Sequence, residues 1–210
     1  MARRNVLFYG SGFIVFILVL FVCMGYGTHK VMANKQQSKN PPLLLSSGLT
    51  EVSEAEVHVL LWFEGENDFA GSSLIEEIRS IAGWKWDYQR SSSNGAITLT
   101  GSRHLKASEE AEILAWFQQI AKSVESEGGK AFLDERVQVG IDIKTYLEKN
   151  GFQPVQEVLT GKTFSVAGRK ENFFSEVQAG QDSINIQLLS RGSAQGEKTV
   201  LAIPVLLEEF

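Results

Sequence analysis

Behind Arg3 and Arg4 the chain runs from Val6 to Tyr26, 21 residues, without a charged side chain. About 20 helical residues span a bilayer core, so this stretch is long enough to cross a membrane. The two arginines orient it: positive charge stays on the cytoplasmic side, which leaves residues 1–5 inside and everything after Tyr26 outside. The same pattern also suits a cleavable signal, with Val31-Met32-Ala33 as a small-residue site near Ala33. Anchor and signal both export the remainder. Residues 27–55, with Pro41-Pro42 in their middle, read as a tether, and residues 56–210 as the exported domain.

Charge is divided at the same place. Residues 1–40 hold five Lys/Arg and no acid, so residues 41–210 carry 15 basic against 25 acidic side chains, a net charge of −10. An acidic domain is a poor partner for bare polyanions, because basic residues supply most non-specific nucleic-acid affinity. The only cysteine, Cys23, lies in the apolar run, so no intramolecular disulfide forms and the fold rests on its core.

Within the domain, Val57–Phe63 reads as a strand buried on both sides. Ser73 opens a short helix that ends before Gly83, and Trp84–Tyr88 and Ala96–Thr100 alternate as the arms of a hairpin. A second helix starts after Ser108 as its cap, with Glu109, Glu110 and Glu112 as solvated carboxylates at its positive end. It shows an apolar face of Ile113, Phe117, Ile120 and Val124 and stops at Gly128-Gly129. Val137–Ile141 reads as a strand, and Asp142 caps a helix that stops at Gly151. Strands follow at Thr163–Ala167, Ser183–Leu188 and Val200–Leu207, the last placed at an edge or bulged because Pro204 has no N–H to donate.

Two stretches echo each other. Gly83-Trp84, with Gly101 and Arg103 downstream, resembles Gly151-Phe152, with Gly168 and Arg169 downstream, at offsets of 68 and 67 residues. Each unit is a helix stopped by glycine, an aromatic leading into a strand, a turn, and a second strand. The echo predicts two similar halves, about 56–130 and 131–210, sharing one sheet.

The C-terminal third carries a family resemblance. Asp182-Ser183-Ile184-Asn185-Ile186-Gln187 through Arg191, then Thr199 through Pro204 to Glu208-Glu209-Phe210, resembles the closing pattern of the YwmB family, and Phe164–Ala167 sits where those proteins carry a similar strand. Ile203 and Phe210 depart from it, standing where a small residue and a tyrosine are usual. The resemblance implies an α+β fold like TATA-box-binding protein, two α/β halves around a curved antiparallel sheet, preceded here by one N-terminal transmembrane or signal helix. It also implies an exported protein of Gram-positive, largely spore-forming bacteria, with no established activity to carry over.

Motifs for chemistry are sparse. His29, His58 and His104 are too scattered for a zinc site, so no metal or other cofactor is expected. No serine stands in a Gly-x-Ser-x-Gly elbow, and Gly128-Gly129-Lys130 lacks the rest of a phosphate loop. Paired carboxylates such as Glu64/Glu66 and Glu109/Glu112 read as a solvated turn and a helix start. Alternation puts Trp84, Trp86 and Tyr88 on one sheet face, either filling the core or forming a platform for a ligand. With Arg103 and Arg169 they make the candidate partner surface. The expected function is a non-catalytic interaction module outside the membrane, envelope- or sporulation-associated, meeting an envelope protein or cell-wall component. Glycan binding or processing is the first alternative. Nucleic-acid binding through the sheet is the second, and it needs Lys85, Arg90, Arg103, Lys162, Arg169 and Lys170 on one face.

Overall fold

A computed structural model describes residues 40–64, 73–193 and 196–207. The apolar segment 6–26, the cleavage site near Ala33, Cys23 and His29 lie outside the described residues. Among those described, no helix is long and apolar enough to cross a membrane.

The domain from Asn40 onward is α+β. Its strands are β1 (Glu54–Phe63), β2 (Lys85–Arg90), β3 (Ile97–Lys106), β4 (Lys130–Val137), β5 (Gln153–Thr160), β6 (Thr163–Arg169), β7 (Val177–Ala179), β8 (Asp182–Ile184), β9 (Ile186–Ser193) and β10 (Gly196–Ile203). Its helices are α1 (Ser73–Arg79), α2 (Glu110–Ser126) and α3 (Ile143–Asn150). Eight strands form one antiparallel sheet in the order β2-β3-β1-β4-β10-β9-β6-β5, and β7 pairs with β8 apart from it. The two hairpins of the echo, β2-β3 and β5-β6, therefore form opposite edges of the sheet. Each is preceded by a helix and a glycine at positive φ, Gly83 at 85° and Gly151 at 70°, a conformation that costs glycine little.

One sheet face meets the core. Ala55, Val57, Val59, Leu61 and Phe63 of β1 are buried, while the alternate residues from Glu54 to Trp62 are not. That corrects the reading of this strand as buried on both sides: its period is two, and only the odd positions are sealed. α2 lays Ile113, Leu114, Phe117, Ile120 and Val124 into the same core, each worth about 1.5–3 kcal/mol of burial. It ends where Gly128 and Gly129 turn back onto the carbonyls of Glu125 and Val124. Asp142 caps α3 as expected, accepting a 3.0 Å hydrogen bond from the Thr145 N–H.

Elsewhere the sequence misleads. The tether ends at Asn40 rather than at residue 55, since Leu43, Leu44 and Leu45 are buried in the core. Ser108 does not cap α2; the helix starts after Glu109, whose carboxylate accepts from the Lys106 N–H and pairs with Arg103. β4 occupies Lys130–Val137, ahead of the expected Val137–Ile141, and sits mid-sheet despite carrying Asp134-Glu135-Arg136. The backbone at Val139 and Ile141 is engaged by the buried Thr199 hydroxyl instead, which donates to the Val139 carbonyl (2.8 Å) and accepts from the Ile141 N–H (3.1 Å). The strand expected over Ser183–Leu188 breaks at buried Asn185, whose amide bonds both the N–H and the carbonyl of Lys170. β10 is interior, between β4 and β9, and stops at Ile203, before the cis Ile203–Pro204 bond. Pro204 thus ends the strand rather than marking an edge.

Candidate functional site

The sheet face away from the helices carries a groove that combines charged, hydroxyl and apolar side chains over several strands. Strand register sets its middle row. Lys85 of β2 lies opposite Ser102 of β3, Ser102 opposite His58 of β1, and His58 opposite Asp134 of β4. The next row brings Asp87, Thr100, Leu60 and Phe132 together in the same way. After Pro204 the chain crosses onto this face: the Leu206 N–H donates to Gln187 Oε1 at 3.0 Å, and Val205 and Leu207 form a wall. The enclosed volume is about 380 Å³, within the range of small-ligand pockets.

The charges inside the groove are interlocked. His58 Nε2 is 3.0 Å from Glu56 Oε1, and Nδ1 is 3.9 Å from Asp134 Oδ1. Arg136 holds Asp134 from its own strand, Nε to Oδ1 at 2.5 Å and Nη2 to Oδ2 at 3.3 Å. The hydrogen bond from His58 holds the Glu56 carboxyl below the usual carboxylate range against the opposing effect of partial burial, with smaller help from the charges of His58, His104 and Arg136. Both imidazole nitrogens face carboxylates. Ser102 is next to His58 in register, but the ring nitrogens face Glu56 and Asp134, and no hydrogen bond between His58 and the Ser102 hydroxyl is formed among the described residues. Among the described residues no cluster of three His, Cys, Asp or Glu could hold a metal ion.

The expected partner surface is arranged differently. Trp86 and Tyr88 point to the helix side, opposite Gly101 and Leu99, and Trp84 is 9% exposed. Trp84 stacks on Trp86 (centroids 5.3 Å) and meets Trp116 of α2 (5.1 Å), with the Arg103 guanidinium 5.9 Å above its ring. This is packing, not a platform. Arg169 is at the other side of the sheet, exposed and 3.6 Å from Glu176. The basic residues required for a polyanion surface do not share a face, since Lys85 and Arg103 fall on opposite sides of the sheet. Glu109 and Glu112 do not act together either. Glu112 is exposed, and the buried member of that helix start is Glu110.

Sequence reading missed Ser102, His58 and Asp134 as a group. Alternation along β1 already separates Glu56 and His58 from Val57 and Val59. Nothing short of the register, however, brings positions 58, 102 and 134 into one row. No protein-family model matches the chain, and no curated protein matches it in sequence.

Proposed function

We propose that this chain is a non-catalytic interaction module outside the cytoplasm, exported by residues 6–26 and presenting the helix-free groove to an envelope protein or a cell-wall component. The observation that carries it is the charged row Lys85–Ser102–His58–Asp134 on a sheet face left open by the helices. Glu56 and Asp134 already face His58 and Arg136, which leaves Asp87 and Lys85 as the charges open to a partner, and Leu60, Phe132 and Leu207 supply apolar contact. Such a lining suits a partner segment with polar or charged groups beside an apolar one.

The finer family picture belongs to the same proposal: a YwmB-like protein whose helix–hairpin units derive from a duplication and give a TATA-box-binding-protein-like arrangement, with a sporulation or envelope role. The repeated device at the two sheet edges favours it. The glycan-binding alternative rests on the hydroxyls of Thr100 and Ser102 in the groove.

The test uses the full chain in its native membrane with in-cell crosslinking. Ser102→Arg fills the groove, and Leu159→Glu alters an exposed position on β5 far from it. Partners captured by the wild type and by Leu159→Glu, but lost with Ser102→Arg, are the expected result. An identical set from all three chains sinks the groove reading. A reporter fused after Phe210 that is active only in the cytosol sinks the export reading.

A further inference from the structure

The segment Asn40–Ser47, where the chain enters the domain, is held by two acids in the core. The Leu44 N–H donates to Glu135 Oε2 at 2.5 Å, the Leu45 N–H to Glu110 Oε1 at 2.6 Å, and the Ser46 N–H to Glu110 Oε2 at 2.8 Å. Those three N–H groups open the 3-10 turn Leu45–Ser47, so the carboxyls do for it what a cap does for a helix. Both acids are sealed from water, Glu110 at 1% exposure and Glu135 at 0%. Around them the fastenings are neutral: the Tyr146 hydroxyl donates to the Pro42 carbonyl (2.5 Å), the Asn40 amide to Gln118 Oε1 (2.9 Å), and the Ser46 hydroxyl to the Ala107 carbonyl (3.1 Å).

Among the described residues no cation balances the pair. On β1 and β10 the residues opposite Glu135 are Val57 and Leu201, α3 contributes the neutral phenol of Tyr146, and the segment itself contributes no titratable side chain. Arg103, near the start of α2, is paired with Glu109. Two buried carboxyls without a cation cannot both stay ionised at tolerable cost, so Glu135 keeps a proton beside Glu110. Glu135 Oε1 agrees with this. It is fully buried and has no hydrogen-bond partner among the described residues, so an ionised Glu135 would leave a charge-bearing oxygen unsatisfied there.

We propose that Glu110 and Glu135 form a proton-dependent clasp on the segment Asn40–Ser47, closed while Glu135 holds its proton and loosened when that proton is lost. Burial is the main force raising the Glu135 carboxyl well above its usual range, followed by the hydrogen bond to Glu110 and the charge of Glu110; the Leu44 and Leu45 N–H groups pull the other way. The sign follows from that direction. A carboxyl raised in the folded state contributes stability that is fully present below its unfolded pKa, near 4.5, and is lost as pH rises through the folded value. Acid closes the clasp and alkali opens it. Where residues 6–26 act as an anchor, which rests on the reading above, opening frees eight residues and lengthens the tether by up to about 27 Å.

Amide hydrogen exchange on the full chain in detergent micelles tests the clasp without assuming the anchor. Protection factors of Leu44, Leu45 and Ser46, corrected for the intrinsic pH dependence of exchange, are compared at about pH 4, below the unfolded pKa near 4.5, and at about pH 9, on the alkaline side toward which linkage moves the loss. The expected result is a fall of roughly tenfold or more at the higher pH, the change that one pKa unit of coupling carries, with Val57 and Val59 of β1 unchanged. Glu135→Gln, which keeps an acceptor for Leu44 and a donor toward Glu110 at every pH, is expected to abolish the fall. Equal wild-type protection at both pH values overturns the proposal, as does a Glu135→Gln protein that still shows the fall. Should that variant not fold, the wild-type comparison between the segment and β1 decides alone.

Discussion

The two helix–hairpin units use the same local device against different neighbours. In each, a glycine at positive φ stands between the helix and the hairpin, directly after the helix at Gly151 and four residues beyond Arg79 at Gly83, and a buried aromatic follows: Trp84 before β2, Phe152 before β5. A cation lies over each ring, Arg103 at 5.9 Å and Lys170 at 5.6 Å from the centroids. Those cations are 67 residues apart, the spacing of Gly101 and Gly168, so Lys170 rather than Arg169 is the counterpart of Arg103. The neighbours differ. Trp84 packs on Trp86 and on Trp116 of a long helix, whereas Phe152 meets Phe173 edge-on (5.4 Å) in the irregular segment before β7. The strand beside β3 comes from before its unit, β1, and the strand beside β6 comes from after it, β9. A short unit thus fixes its own geometry, while its position in the sheet is chosen by whatever strand is free to pair.

The sharpest way to break this comparison is to empty the aromatic seats. Phe152→Ala is expected to cost about 3–5 kcal/mol, the usual range for a buried aromatic. Trp84→Phe is expected to cost under about 1 kcal/mol, because the buried Trp84 indole N–H has no acceptor among the described residues and its loss relieves an unsatisfied donor. Denaturant melts of both variants check this; a Trp84→Phe chain as unstable as Phe152→Ala would show that the two seats are equivalent. A second contrast is between the glycines. A Cβ at Gly101 would run into the Trp86 ring, whereas one at Gly168 would meet Ile186 Cγ2 at 3.1 Å and Leu147 Cδ2 at 3.3 Å. Gly101→Ala is therefore expected to cost about 1–3 kcal/mol by overpacking and Gly168→Ala less, read from the same melts. The smallest effect belongs to the outer edge: Leu159 on β5 is 73% exposed, and Leu159→Glu is expected to stay within about 0.5 kcal/mol of wild type. A larger loss would mean that β5 is covered in solution.

The local devices were legible because their causes are local. Asp142 caps α3 through Thr145, three residues away, Gly151 ends that helix, and the 3.6-residue spacing from Ile113 to Val124 states which side of α2 is buried. β4 was not legible, because its three consecutive charges hide it. Asp134 and Arg136 take the open face, where they pair with each other and Asp134 also faces His58 of β1, while Glu135 takes the core and meets the Leu44 N–H of a distant segment. Leu43–Leu45 looked like tether because no short-range signal says that an apolar triplet after a diproline will find a core to enter.

Period and punctuation alone therefore determined which residues form helices and hairpins, where most of them stop, and the apolar run at the N-terminus, since each depends on neighbours within a few residues. Tertiary structure alone decided that hairpins 68 residues apart take opposite edges, that positions 58, 102 and 134 form one row, and that Glu110 and Glu135 meet. Those outcomes depend on which strand pairs with which and in what register, and the backbone groups that settle this are the same in every residue.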